Sequence, residues 1–148
     1  MMIDLQQFCG NPISTPGFDV PFSDADYTYA SERCIIVRVA FRKDIPLGAV
    51  NTVISAQKLF STLNHGEPRA LPEIPSIPVV KCSCPHCQGC IPMDDPCRTI
   101  TIGTAHYQSK YLRLIATLPN PQFAESGEND AAWFKFDGGD GLLMPIRK

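Results

Sequence analysis

"DYTYASERCIIVRVAFRKD", residues 26–44, sets two runs of alternating side chains on either side of the polar triplet Ser31, Glu32 and Arg33. Ile35, Val37, Val39 and Phe41 recur at every second position on the far run, and Thr28 and Ala30 do so on the near one. A period of two is the repeat of a strand that turns one face to a core, and two such runs around a short polar turn make a β-hairpin. A second hairpin is expected at 131–148, "AAWFKFDGGDGLLMPIRK", where apolar runs flank "DGGDG". Those glycines do not read as a phosphate cradle. Their spacing matches neither nucleotide-binding glycine pattern, and Asp137 and Asp140 would repel phosphate. Two carboxylates also fall short of a calcium loop.

Between the hairpins the period lengthens. In "VNTVISAQKLFSTLNHG" (50–66), Val53, Ala56, Phe60 and Leu63 recur at spacings of three and four. That spacing predicts an amphipathic helix, with Ser55 as N-cap and the Asn64, His65, Gly66 stretch as its stop. "HYQSKYLRLIATLPNP" (106–121) predicts a second helix with Tyr111, Leu114, Ile115 and Leu118 on one face, Ser109 as cap and Pro119 as terminator. Residues 3–9 suit a short strand or a helical turn, and "RTITIG" (98–103) alternates like a strand. The four prolines of "GEPRALPEIPSIP" (66–78) make that segment an extended connector. "KLFSTLN" (58–64) and "RLIATLP" (113–119) echo each other, and each follows a β-type segment, which suggests two similar halves. The expectation is one α+β domain over 1–148, with antiparallel sheets, two short helices and a loop insert at 81–98.

The insert holds the most conspicuous composition. "KCSCPHCQGC" (81–90) puts four of the seven cysteines and one of the three histidines into ten positions, and Cys97 follows. The opening "MMIDLQQFCG" lacks a basic stretch leading into an apolar one, so a cytoplasmic chain with reduced thiols is expected. Metal binding then outranks disulfides. Tetrahedral zinc takes four nitrogen or sulfur ligands, and a C-x2-C pair offers two thiolates on one turn. Four of Cys82, Cys84, Cys87, Cys90 and Cys97 would hold a structural zinc, with Cys84 and Cys87 as the central pair and His86 as a substitute. An iron–sulfur cluster is the minor alternative, since Cys84, Cys87 and Cys90 match three positions of a ferredoxin run. Cys9 and Cys34 stand alone in apolar company and read as small buried hydrophobes.

Thirteen basic against fifteen acidic residues give a net charge of −2, which does not advertise binding to phosphate backbones. Arg33, Arg38, Arg42 and Lys43 read as solvated strand and turn residues. If nucleic acid is bound, Lys58, Lys81, Arg98, Lys110 and Arg113 are the cations to expect at the contact. No serine, histidine and acid arrangement suggests a catalytic residue: Ser55 and Ser109 suit caps, and His106 has no acid or nucleophile beside it in sequence. No apolar run reaches the roughly 18–20 residues of a membrane helix.

Three stretches together resemble the bacterial sliding clamp, the DNA polymerase β-clamp. "FKFDGGDGLLMPIRK" is similar to the clamp's closing strand, which ends hydrophobic–Met-Pro-hydrophobic-Arg. "TYASERCIIVRV" resembles a clamp hairpin, and "ISAQKLFSTLN" and "QSKYLRLIATLP" resemble the short helices that line the DNA-facing side of clamps. The chain has length for about one such domain, its helices carry few basic residues, and clamps have no cysteine-rich insert. The resemblance implies a small phage or prophage protein in a bacterial cytoplasm, without enzymatic activity. Its partner would be a host or phage protein of the replication or defence machinery. A homo-oligomer that rebuilds a ring is a further possibility. A nucleic-acid-binding zinc module and a metal-dependent or redox enzyme are the alternatives.

Overall fold

The structure, a computed structural model, describes residues 2–10, 13, 18–61, 66–72, 74, 79–81, 90–92, 99–125 and 127–146, with 79–81 and 90–92 as backbone alone. After a 3-10 turn at Leu5–Phe8 come β1 (Phe22–Ser23), β2 (Tyr27–Ser31) and β3 (Ile35–Ala40). Helix α1 (Val50–Ser61) follows, then β4 (Arg69–Ala70), β5 (Val79–Lys81), β6 (Cys90–Pro92), β7 (Thr99–Ile102) and β8 (Ala105–Gln108). Helix α2 (Ser109–Ala116), β9 (Gln122–Ala124), β10 (Ala132–Phe136) and β11 (Gly139–Leu143) complete the chain. The fold is mixed α+β.

Seven strands form one antiparallel sheet in the order β1-β2-β3-β11-β10-β9-β4, and β5–β6 and β7–β8 pair as separate hairpins. Both expected hairpins are present, β2–β3 and β10–β11. They meet along β3 and β11, with Val37 opposite Gly141 and Arg38 opposite Asp140. Glycine is needed on that seam because a Cβ at Gly141 would run into the Phe134 ring and the Ile36 carbonyl. The turn itself uses Gly138 at φ 102°, a left-handed conformation that glycine adopts without penalty.

Alternation decides which layer covers which face. Ala30, Ile35, Val37 and Val39 point to one side, where they pack with Phe134, Phe136 and Leu143, with the 3-10 turn's Leu5 and Phe8, and with Tyr111, Leu112 and Ile115 of α2. Tyr29, Ile36 and Leu142 point to the other, toward Phe22 and toward Ala56 and Phe60 of α1. The two helices therefore lie on opposite faces of one sheet, and β3 is buried on both sides. They do not line a common surface.

Several local expectations shift. The turn at 3–9 is helical, capped by Asp4, whose carboxylate accepts from the Gln6 amide at 3.1 Å. Leu112, not Leu114, is the fully buried leucine of α2. Residues 106–108, expected to open that helix, instead close the β7–β8 hairpin, which turns at Gly103 with φ 62°. Helix α1 begins five residues before its expected cap, because the chain is already hooked to the sheet edge: Ser23 N–H donates to Pro46 at 2.9 Å and Gly48 N–H to Ser23 at 2.9 Å. Ser55 consequently sits inside the helix, where its hydroxyl donates back to the Asn51 carbonyl at 2.9 Å. Such back-bonding slightly weakens a helix. Ser55→Ala is expected to raise stability by about 0.5 kcal/mol, read as a higher urea midpoint with an unchanged slope.

Of the 66–78 connector, Arg69 and Ala70 add the last strand of the sheet by pairing with β9. Residues 73 and 75–78 lie outside the described residues. No helix of the described chain is long and apolar enough to cross a membrane.

Candidate functional site

Helix α1 is a twelve-residue segment, VNTVISAQKLFS, with one charge, Lys58. Only Ala56 and Phe60 are buried, so most of the helix faces water without the charges that usually cover such a surface. Val50 is 73% exposed and Ile54 54%, and Leu47, just before the helix, is 72% exposed. At 3.6 residues per turn, Val50 and Ile54 share one flank of the exposed surface, whereas Leu59, 44% exposed, lies on the other.

Beneath the Leu59 flank is a cavity of about 110 Å³. Helix α1 supplies Ser55, Ala56 and Leu59, the end of the sheet supplies Ile36 and Leu142, and the β2–β3 loop supplies Arg33 and Cys34. That loop is held from several sides. Glu32 N–H donates to Ile35 at 3.1 Å, Met144 N–H to Cys34 at 2.8 Å, and the Tyr111 hydroxyl to the Glu32 carboxylate. Burial, and then the hydrogen bond to Glu32, pushes the Tyr111 hydroxyl well above its ordinary range. Arg33 occupies the turn with φ 76°, a left-handed conformation disfavoured for a residue with a side chain.

The opposite flank of α1 carries a polar network. Asp24 is buried, and its carboxylate accepts four hydrogen bonds: from the amides of Asp26 and Tyr27, both at 2.7 Å, from the Tyr29 hydroxyl at 2.7 Å and from Gln57 of α1 at 2.9 Å. Burial is the largest single influence and would raise its pKa, but Gln57, Tyr29 and the two amides outweigh it and hold the carboxyl at about 2. Arg38 donates through Nε and Nη2 to both oxygens of Asp140, at 2.7 and 3.0 Å, and its guanidinium lies 4.1 Å from the Phe60 ring centre and 4.6 Å from that of Tyr27. Trp133 Nε1 donates to the same carboxylate at 3.0 Å. The expectation of a solvated Arg38 is thus corrected: β3 and β11 bring it onto Asp140, which in turn is occupied by an ion pair. Arg42 is likewise paired, with Asp44. His106 sits in β8 with Nδ1 at 2.7 Å from the Thr101 hydroxyl. Cys9 and Cys34 are free thiols of intermediate exposure, and burial pushes Cys9 up to about 11.

The metal expectation is corrected. Among the described residues, no three His, Cys, Asp or Glu side chains gather to hold a metal ion, so they offer a ligand set for neither zinc nor an iron–sulfur cluster. Cys82, Cys84, His86, Cys87 and Cys97 lie outside the described residues, and Cys90 is described only as backbone in β6. The basic set does not converge either. Lys58 is on α1, while Lys110 and Arg113 are on α2 across the sheet, where Lys110 Nζ lies 4.7 Å from the Tyr111 ring centre and Arg113 donates to Ser109 at 3.3 Å. Lys81 has only its backbone described, and Arg98 lies outside.

The site residues that sequence reasoning passed over are Arg33, Asp24 and Gln57. "SDAD" carries the signal of an Asx turn, an acid three residues before the first residue of a strand, which identifies Asp24 as a local acceptor. Nothing local identifies Gln57 as its partner. Comparison of the chain with protein-family models, curated proteins and solved structures finds no match.

Proposed function

We propose that this chain is a protein-binding module that docks its partner on the outer surface of α1. One observation carries the reading: Leu47, Val50, Ile54 and Leu59 stand in water around a helix with a single charge. Exposed apolar patches with a polar rim mark interaction sites, and depletion of charge is the compositional sign of an interface core. The rest of the helix is anchored for that task, by Ala56 and Phe60 in the sheet's second core and by Gln57 on Asp24. A nucleic-acid surface is less well supported, because Lys58 is separated by the sheet from Lys110 and Arg113. The replication or defence setting belongs to the clamp resemblance, and the α1 surface supports a protein partner without it.

A photo-crosslinking amino acid at position 50 or 54, in the cells that make the protein, should give a discrete adduct with a protein. The same amino acid at Lys135, exposed on β10, serves as the background. Ile54→Glu should lower the adduct yield from position 50 about tenfold while leaving the fold intact by circular dichroism. Adducts from 50 and 54 no more abundant than those from 135 would refute the docking surface.

A further inference from the structure

We infer that the cavity under the Leu59 flank receives one aliphatic side chain of a partner peptide, and that Arg33 at its mouth pairs with a carboxylate next to that side chain. The inference rests on the protein-binding reading above and names the chemistry of what is bound. The cavity holds about 110 Å³, and its walls, Phe18, Ile36, Ala56, Leu59, Leu142 and Met144, are almost entirely carbon. An apolar cavity of roughly 150 Å³ admits a benzene ring, so this one suits a group of leucine or isoleucine size and is too small for a long acyl chain. An apolar pocket with a few placed polar groups is the usual form of a recognition site, and here the hydroxyls of Ser31 and Ser55, which also line the cavity, donate to the Ile35 and Asn51 carbonyls and leave one polar side chain open.

The polar group here is cationic. Arg33 is the one charged residue among the described residues that line the cavity. Its side chain has no hydrogen bond or ion pair among the described residues, unlike Arg38 and Arg42. A guanidinium with open donors selects a carboxylate, which it can hold through two parallel hydrogen bonds. The backbone supplies an independent observation. The turn places Arg33 at φ 76°, where glycine would sit without strain. The position is also fixed in advance, since Arg33 N–H donates to the Ser31 hydroxyl at 3.4 Å while Tyr111 and Met144 hold its two neighbours. A strained arginine on a braced turn beside an apolar hole fits a side chain kept for binding.

The test uses the full chain and a short fluorescein-labelled peptide, capped at both ends, with one leucine flanked by aspartates in a glycine–serine background. Fluorescence polarisation should show saturable binding that is lost when the leucine becomes serine or the aspartates become asparagine. Arg33→Gly should weaken binding about tenfold without lowering the melting temperature, and Arg33→Lys, which keeps the charge but not the paired hydrogen bonds, should weaken it by less. Ala56→Leu, which fills the cavity, should abolish binding. If the peptide does not bind the native chain, or binds Arg33→Gly equally well, the inference is overturned. Crosslinking from positions 50 and 54 would still decide the α1 docking surface separately. Displacement of the peptide by micromolar dodecanoate would assign the cavity to an acyl carboxylate and overturn the peptide assignment.

Discussion

Gly141→Ala is expected to destabilise the protein by about 3 kcal/mol, lowering the melting temperature by about 10 °C. The added methyl has nowhere to go. On one side it meets the Phe134 ring, which is fully buried, and on the other the carbonyl of Ile36 across the β3–β11 seam. Neither can yield cheaply. Phe134 is packed among the residues of the larger core, and the Ile36 backbone belongs to a strand paired on both edges. The same substitution at Gly127, a turn glycine whose nearest neighbour is the Asp130 carboxylate, should cost much less, because the far end of a surface side chain can move. Thermal unfolding of both variants by circular dichroism checks the contrast. Equal melting temperatures for Gly141→Ala and the native chain would mean that the two hairpins do not meet as described.

Asp24→Ala should cost a similar amount, about 3 kcal/mol, for a different reason. It leaves the Tyr29 hydroxyl, the amides of Asp26 and Tyr27, and the amide of Gln57 without their shared acceptor. Tyr29 is only 1% exposed, so water cannot readily replace the lost partner. The effect carries a pH signature with a definite sign. The carboxyl binds its proton less tightly in the folded chain, at about 2, than at its ordinary value of 3.8. Its contribution is therefore complete above about pH 4 and is lost as the pH falls toward 2. Urea unfolding followed between pH 5 and pH 2 should show the gap between the native chain and Asp24→Ala narrowing across that window. A gap that stays constant would show that the carboxylate is not the stabilising form.

The polar network and the cavity lie on opposite flanks of one helix, and that placement connects stability with the proposed binding role. Gln57 and Phe60 fix α1 on the Asp24 side, while Ala56 and Leu59 line the cavity on the other. A weakened Asp24 hub should therefore loosen the wall of the cavity before it unfolds the sheet.

How much of this was legible depended on the range of each interaction. The hairpin over 26–44 was fixed by alternation around a polar triplet, because a strand's side chains repeat every second residue whatever they pack against. The α1 face was readable from Val53, Ala56 and Phe60 for the same kind of reason, a helix repeat written into neighbouring residues. Its start was not, since the hook on the sheet edge replaces a capping side chain. Arg38 looked like a solvated charge because its partner, Asp140, is 102 residues away and is reached only when β3 and β11 pair. The division of β3 between two cores was hidden as well, since alternation marks which residues share a face but not what will cover it. Alternation and helical spacing among neighbouring residues set the two hairpins at 26–44 and 131–148, the presence of both helices and the α+β class of the fold. Tertiary structure alone decided that the helices take opposite faces, that four donors converge on Asp24, and that a strained arginine stands beside an apolar cavity. Local geometry follows from each residue and its neighbours; those arrangements follow from which distant strands close on each other.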